Sequence, residues 1–332
     1  MATPTNLRLD GLSFEQIREN FRTYLKAQDQ FRDYNFESSG ISTLVDILTY
    51  NTYYNAFYQN MIATETFLST AQRRNSAVNI AKALNYTPRS VTSAKIIGDI
   101  AVTVVGSPAA ITLPKYTKFK AVFNGETYYF LTQEAITIFR SAGGTYTLDD
   151  VELIEGFFVS ERYIKDINDA DQRFIISNAT ADTSTLVVKV QNSVSDSTVR
   201  VFNLTDNIVS LTSTTTAYFI EEVEDGKYQV TFGDGVIGTA LTDGNVVYLE
   251  YIVSSGTAAN GVKTLEFAST VANVTNITFT AGGTESQSFG GQERETLERI
   301  KFAAPKSYAA QNRAVTTEDY EAILLNEPNV GS

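Results

Sequence analysis

The chain has no cysteine and no histidine. Without cysteine there is no disulfide, thiolate nucleophile, zinc–thiolate site or iron–sulfur cluster. Without histidine the commonest general base and metal ligand is missing. Neither a Ser-His-Asp triad nor an H-E-x-x-H zinc helix can then be built from this chain alone. Long apolar runs are also missing. The longest, Ile96 to Val105, is short and contains Asp99, too little for a membrane span. Thr3, Pro4, Asp10 and Glu15 interrupt any signal-peptide core. Positive charge is scarce: 26 Lys and Arg stand against 38 Asp and Glu, a net of −12, which disfavours broad contact with nucleic acid or anionic membrane.

What is there is a chain of 332 residues with 43% hydrophobic content, enough for a folded protein of two or three domains. Its charge is uneven. Residues 1–90 hold 9 basic and 8 acidic residues, leaving 17 and 30 for the remainder, a net of −13. A nearly neutral, aromatic N-terminal part thus precedes an acidic part rich in strand formers.

Ser13 and Gln16 have capping-box spacing, and Leu12 and Ile17 that of a hydrophobic staple. Phe14, Ile17, Phe21, Tyr24 and Leu25 then share a stripe, predicting a helix to about Asp33. A long helix is predicted over Ser42–Leu68. Leu44, Ile47, Leu48, Tyr54, Tyr58, Met61 and Ile62 form one face, with Tyr50, Tyr53 and Phe57 as a second strip. One stripe suffices for a single core, so two imply burial on more than one side. Two readings are open: a helix central to its own three-helix unit, or one shared with partner chains. Asn51, Asn55 and Asn60 would need hydrogen-bond partners if buried. A third helix is expected over Ala71–Leu84, stopped by Tyr86-Thr87-Pro88.

From Ile96 the period becomes that of strands. Strands are expected at Ile96–Val105, Lys118–Phe123, Tyr128–Leu131, Ala135–Phe139, Tyr146–Leu148, Val151–Val159, Leu186–Val190, Phe219–Val223, Gln229–Phe232 and Val246–Ile252. Asn124-Gly125 and Asp225-Gly226 suit tight hairpin turns. A helix is expected from Glu293 to Ala304, supported by a Glu295–Arg299 pair and ended by Pro305, with residues 306–314 as a loop. A last helix is expected from Thr316 to about Leu325. The fold class is therefore α+β: an N-terminal long-helix bundle segment, a central antiparallel β-rich part and a C-terminal α/β segment.

Candidate chemistry is thin. Phe232-Gly-Asp-Gly-Val-Ile-Gly238 lacks the Gly-Lys-Ser/Thr of a P-loop and reads as a turn. Asp166-Ile-Asn-Asp-Ala-Asp171 resembles a calcium loop, but Ala170 replaces a ligand and Asp171 the required Gly. No Ser stands three residues before a Lys. Asp149-Asp150, Glu221-Glu222 and Glu293/Glu295 are the acidic pairs a glycosidase could use, but adjacency does not set carboxylate separation. The Tyr50–Tyr58 stripe has no Lys or Arg close by to favour base stacking. No catalytic, cofactor-binding or metal-ligating residue is expected.

In order and spacing, the landmarks resemble baseplate wedge proteins of contractile-tailed bacteriophages, part of the wider baseplate J-like family. The pieces are Phe31-x-Asp-Tyr-x-Phe-Glu37, Leu44-Val-Asp-Ile-Leu-x-Tyr-Asn51 and Leu113-Pro-Lys-Tyr-Thr-Lys-Phe119. Phe232–Gly235, Gly238, Tyr251, Gly256, Asn260-Gly261, Gly282-Gly283 and Gly290-Gly291 come next. The start of the Glu293–Arg299 helix and Ala314-Val-Thr-Thr-Glu-Asp-Tyr320 complete the set. Tyr116 stands where Gly is usual, which predicts a different turn there. The resemblance implies a structural virion protein of the tail baseplate, assembled in the host cytoplasm. It implies pairing of two copies in different conformations, a helical bundle with other wedge proteins, and a ring of six units around the hub. Sheath-initiating and hub-proximal tail proteins are further candidate partners; nucleic acid and membrane are not. The interface residues expected are Phe21, Tyr24, Leu25, Leu44, Ile47, Leu48, Tyr54, Phe57, Tyr58 and Met61. Residues 1–90 are read as the helical arm, 91–217 as a β-rich wedge domain with an exposed insertion near 165–217, and 218–332 as a β-to-helix segment incomplete at its C-terminus. The competing reading is a tail-associated protein that binds or degrades polysaccharide through its β region.

Overall fold

A computed structural model describes residues 13–28, 40–205, 211–282 and 286–310, with residues 313, 316, 317 and 320. The chain forms two compact units. One comprises the described residues up to Asn85 together with Leu297–Pro305, the other Tyr86–Thr296 and the described residues from Lys306 onward.

The first unit holds α1 (Phe14–Lys26), α2 (Gly40–Glu65) and α3 (Arg74–Ala83). The Ser13 side chain caps α1 by accepting from Gln16 N at 3.3 Å, as the spacing predicts. The expected end of α1 at Asp33 lies outside the described residues. Glu65 closes α2: its carboxylate accepts from Gln72 N at 3.0 Å and Arg73 N at 3.3 Å, folding the chain back toward α3.

In the second unit the first strands are β1 (Lys95–Val104), β2 (Ala110–Leu113), β3 (Lys118–Phe123), β4 (Glu126–Thr132), β5 (Ile136–Phe139), β6 (Thr147–Glu155) and β7 (Phe157–Ile164). Then come β8 (Phe174–Ile176), β9 (Ala181–Gln191), β10 (Val199–Leu204), β11 (Ala217–Glu222), β12 (Tyr228–Phe232), β13 (Val246–Val253), β14 (Glu266–Phe267) and β15 (Val274–Ala281). Helix α4 (Leu297–Ala310) follows, its residues divided between the two units at Pro305/Lys306. Strands β1-β15-β14-β3-β4-β6 close into an antiparallel barrel, and β2 pairs with β5 as a separate ribbon. Strict alternation along β1 turns Ile96, Ile100 and Val102 into a core shared with Phe119, Phe130, Leu153 and Phe279. Gly98 is required there: a Cβ would meet Thr280 O and the Phe279 ring. The other strands form a seven-stranded sheet, β7-β13-β9-β10-β11-β12-β8, parallel only at β10/β11. Its core gathers Phe174, Val188, Phe202, Tyr228, Val230 and Leu249. The Tyr163 hydroxyl of edge strand β7 donates to Ile175 O of the opposite edge strand at 2.6 Å, so the sheet curls on itself.

Several expectations are corrected. Pro305 lies inside α4 rather than ending it, and residues 306–310 are helical, not loop. Ala303, Ala304 and Ala310 are buried along that helix, and such burial outweighs one missing N–H. The helix also begins later than Glu293. Glu295 N donates to Arg89 O at 3.0 Å, which holds this stretch extended. The expected helix from Thr316 lies almost wholly outside the described residues. Residues 165–217 are not an exposed insertion. They supply β8, β9 and β10, and Leu186, Val188 and Val190 of β9 are core while polar residues alternate outward. Strand pairing also runs across the expected boundary at 217/218, which meets the start of β11; β14 and β15 return to close the barrel begun by β1.

Both hairpin turns adopt the positive φ their residues predict: Asn124 53° and Gly125 86°, Asp225 60° and Gly226 71°. Tyr116 does so too, at φ 64°, a conformation that explains why glycine is the usual residue in the motif. Its ring stacks on Phe158 with centroids 4.0 Å apart, beside the cluster Leu131, Ile154 and Ile252 that joins barrel and sheet. Tyr116→Ala retains the backbone strain and loses the stack, so urea unfolding should show about 2 kcal/mol lost. Tyr116→Gly loses the ring but relieves the strain, and should retain about 1 kcal/mol more than the Ala variant. The reverse order of the two variants would refute this account.

Candidate functional site

The helices α1 and α2 form an antiparallel hairpin. Arg18 Nε lies 2.6 Å from Asp46 Oδ1, and the Phe14 and Tyr53 rings meet edge to face at 6.5 Å. The inner side of α2 is made of small residues. Val45 and Thr49 are buried, and the Thr49 hydroxyl is satisfied by Val45 O at 2.6 Å. Ala56 and Ala63, seven and fourteen residues after Thr49, are half-buried on the same side.

Large side chains point the other way. Leu44, Ile47 (58% exposed), Leu48, Tyr50, Phe57, Tyr58 (52%) and Ile62 (64%) face solvent along one helix. Tyr50, Tyr54 and Tyr58 meet at i, i+4 spacing, edge-on and then tilted, with centroids 4.5 and 6.2 Å apart. The Tyr50 and Tyr54 hydroxyls share a hydrogen bond at 2.8 Å, which raises the Tyr54 phenol above its ordinary value. This arrangement is inside-out for a soluble helix, whose large apolar residues normally face the core. It decides against α2 as the buried centre of its own unit.

Of the ten expected interface residues, Tyr24, Leu44, Ile47, Leu48, Tyr54, Phe57 and Tyr58 are exposed, while Phe21, Leu25 and Met61 are half-buried. Tyr50, Tyr53 and Ile62 were not among those ten, although they are exposed on the same helix, and Phe67 is exposed just beyond it. The sequence periodicity had placed Ile62 on the first apolar face of this helix and Tyr50 and Tyr53 on the second strip. Asn55 Nδ2 donates to Asn51 Oδ1 at 3.2 Å.

Elsewhere the polar groups serve their own backbone. The Asp234 carboxylate of the Phe-Gly-Asp-Gly loop accepts from Val236 N and Ile237 N, both at 2.8 Å, and these bonds lower its pKa. The amides that could cradle a phosphate are thereby occupied. Asp166 Oδ1 accepts from Asn168 N at 2.9 Å, and Asp169 Oδ1 from Asp171 N at 3.1 Å. Among the described residues no group of three or more acids is placed to hold a metal. Two of the acidic pairs are split by burial: Glu222 and Glu295 are buried, whereas Glu221 is half-buried and Glu293 exposed. Asp149 and Asp150 both lie exposed on β6.

The buried acids hold the segment 86–95 in place. Glu295 accepts from the Tyr86 hydroxyl at 2.7 Å and Arg89 N at 3.0 Å. Asp182 accepts from Ser93 N at 2.8 Å. Glu155 N donates to Ala94 O at 2.7 Å, and its carboxylate accepts from the Ser254 hydroxyl at 2.8 Å and Ser255 N at 3.1 Å. Burial pushes the Glu155 carboxyl above the ordinary glutamate range; its hydrogen bonds oppose that shift and the nearby Asp182 charge adds to it.

In the helical unit α2 carries an outward-facing apolar row, and in the β unit Asp182, Glu155 and Glu295 are engaged in internal bonds. Residues 13–86 match the family model described as baseplate wedge protein gp6-like, helical domain. Baseplate wedge protein gp6 of Enterobacteria phage T4 is 27% identical over 336 residues, covering 95% of this chain and 50% of that protein. The chain therefore spans about half the length of this curated relative. Among solved structures, the cryo-EM structure of the anti-feeding prophage (AFP) baseplate, 6-fold symmetrised, aligns with 12% identity and a TM-score of 0.36 over 96% of this chain and 65% of that one. The similarity to baseplate wedge proteins of contractile-tailed phages, implied by the sequence landmarks, is thus found.

The raised Glu155 pKa has a signed consequence. The folded state binds this proton more readily than the unfolded chain, so protonation favours folding and stability falls as pH rises through the raised value. As pH rises above the ordinary glutamate range, the wild type should lose stability relative to Glu155→Gln in denaturant titrations. Parallel stability curves for the two proteins would rule this out.

Proposed function

We propose that this chain is a structural subunit of a contractile phage tail baseplate wedge, located in the virion and doing no chemistry. Its helical arm joins a second copy of itself and other wedge proteins in a bundle, as part of a ring around the central hub. Sheath-initiating and hub-proximal tail proteins are the remaining candidate partners. The observation that carries the reading is the inverted α2, with small residues inward and a row of aromatic and aliphatic side chains in solvent. Such a surface is stable in water only at a cost, and burial against neighbouring helices removes that cost. The match of residues 13–86 to a wedge-protein helical domain supports the same assignment. The β body, on this reading, is the rigid mass that the arm positions.

Replacing both Tyr54 and Tyr58 by Asp puts two charges into the proposed bundle. The β unit should keep its unfolding midpoint, because both residues are in the other compact unit. Co-purification with the other wedge proteins should be lost, and phage particles carrying the variant should lack baseplates. Unchanged co-assembly would remove the bundle role.

A further inference from the structure

One end of the seven-stranded sheet is fastened to the segment 86–95. Ser93 N donates to Asp182 at 2.8 Å, and the Tyr228 hydroxyl donates to Pro88 O at 3.1 Å. The opposite end is built from three loops, 165–173, 192–198 and 233–245, which follow β7, β9 and β12. They are bonded to one another: Ile167 N donates to Asp243 Oδ1 at 3.0 Å, and Asn245 Nδ2 donates to Asn192 O at 2.8 Å. Each loop holds a branched aliphatic side chain in water. Ile167 is 64% exposed, Val194 67% and Val236 74%, and Ile237 beside it is also exposed. Each loop is braced by an aspartate that accepts its own amides: Asp166 from Asn168, Asp196 from Thr198, and Asp234 from Val236 and Ile237. An apolar group displayed on a braced backbone costs less order to bind than one on a loose loop.

The charge around these side chains narrows the occupant. The three loops hold six aspartates against Lys165 and Arg173, a net of −4. Asn192 Nδ2 and Thr198 N hold the Asp196 carboxyl down, at about 2, and the amides of Ile237 and Val236 lower that of Asp234, so both are anions at neutral pH. Two such ends repel each other, which disfavours end-to-end pairing of two copies. The same sign disfavours an anionic membrane or nucleic acid. An apolar patch with an acidic rim complements a protein surface that has an apolar depression and a basic rim. We propose that this end of the sheet docks such a surface, on a protein other than a second copy of this chain. The four aliphatic side chains enter the depression, and Lys or Arg side chains of the partner lie beside the aspartates. This docking is separate from the α2 bundle, and it rests on the proposed function only in placing the partner within the assembled tail.

The chain lacks cysteine, so a single introduced thiol reports on its own loop. Full-length Val194→Cys and Val236→Cys chains should react readily with a maleimide in solution. In tails isolated from phage carrying either variant, the reaction should be at least about tenfold slower, because a docked surface excludes the reagent. Asp171 tests the basic rim. It is exposed on the first of these loops and is not one of the three bracing carboxylates. Adding Asp171→Lys to Val194→Cys should speed labelling in tails about threefold, as one attraction at the rim becomes a repulsion. Unchanged protection would point to a partner without a basic rim, and stronger protection to a second acidic copy; either result overturns the proposal. Tails that hold the chain with both thiols labelled at the solution rate would sink the docking alone. Tails that lack the chain would overturn the proposed function together with this inference.

Discussion

Val45 and Thr49 are the inward residues of α2, and their small size governs what the helical unit can be. Val45 and Thr49, with Ala56 and Ala63 half-buried on the same side, fill little volume against α1, and Tyr53 meets Phe14 of α1 edge to face. The other tyrosines, Phe57 and the leucines lie exposed. Each buried aromatic or aliphatic side chain is worth ~1.5–3 kcal/mol relative to exposure, so a row of them in water is a standing drive toward association. The i, i+4 rings already contact one another, edge-on at Tyr50/Tyr54 and tilted at Tyr54/Tyr58.

The β unit shows the opposite economy of polar groups. Its buried carboxylates are engaged in hydrogen bonds that fasten the segment 86–95 to the strands. Asp182 takes an amide from Ser93, Glu295 takes one from Arg89, and Glu155 holds the Ser254–Ser255 corner. The first residues of this unit are thus fixed to β9 and to the stretch before α4, so it begins from a stitched segment, not a loose linker. Acids used in this way brace the backbone amides they accept from.

Local features were legible where local physics decides them. The Ser13 cap, the Asn124-Gly125 and Asp225-Gly226 turns and the alternation of β1 follow from short-range hydrogen bonding and backbone sterics. The two apolar strips of α2 were visible as well, together with most of the side chains now found exposed. Illegible were features that depend on distant partners. Polar residues alternating with Leu186, Val188 and Val190 read as an exposed insertion, because their composition hid that β9 lies between β13 and β10. Pro305 reads as a stop in sequence, but burial along α4 carries the helix past it. Tyr116 in place of glycine predicts a different turn; its backbone adopts a positive φ, and the ring stacks against Phe158, a contact between residues far apart in the chain.

Sequence alone determined that this chain has no thiol or imidazole chemistry, that it begins with helices and continues in strands, and that one long helix is apolar on more sides than one core needs. These properties reside in residue types and their periods, which no folding can alter. Tertiary structure decided which side of that helix faces inward, which strands close the barrel and which acids are buried. Each of those outcomes is a competition among surfaces far apart in the chain. The small face of α2 lies against α1, so the large one is left to solvent.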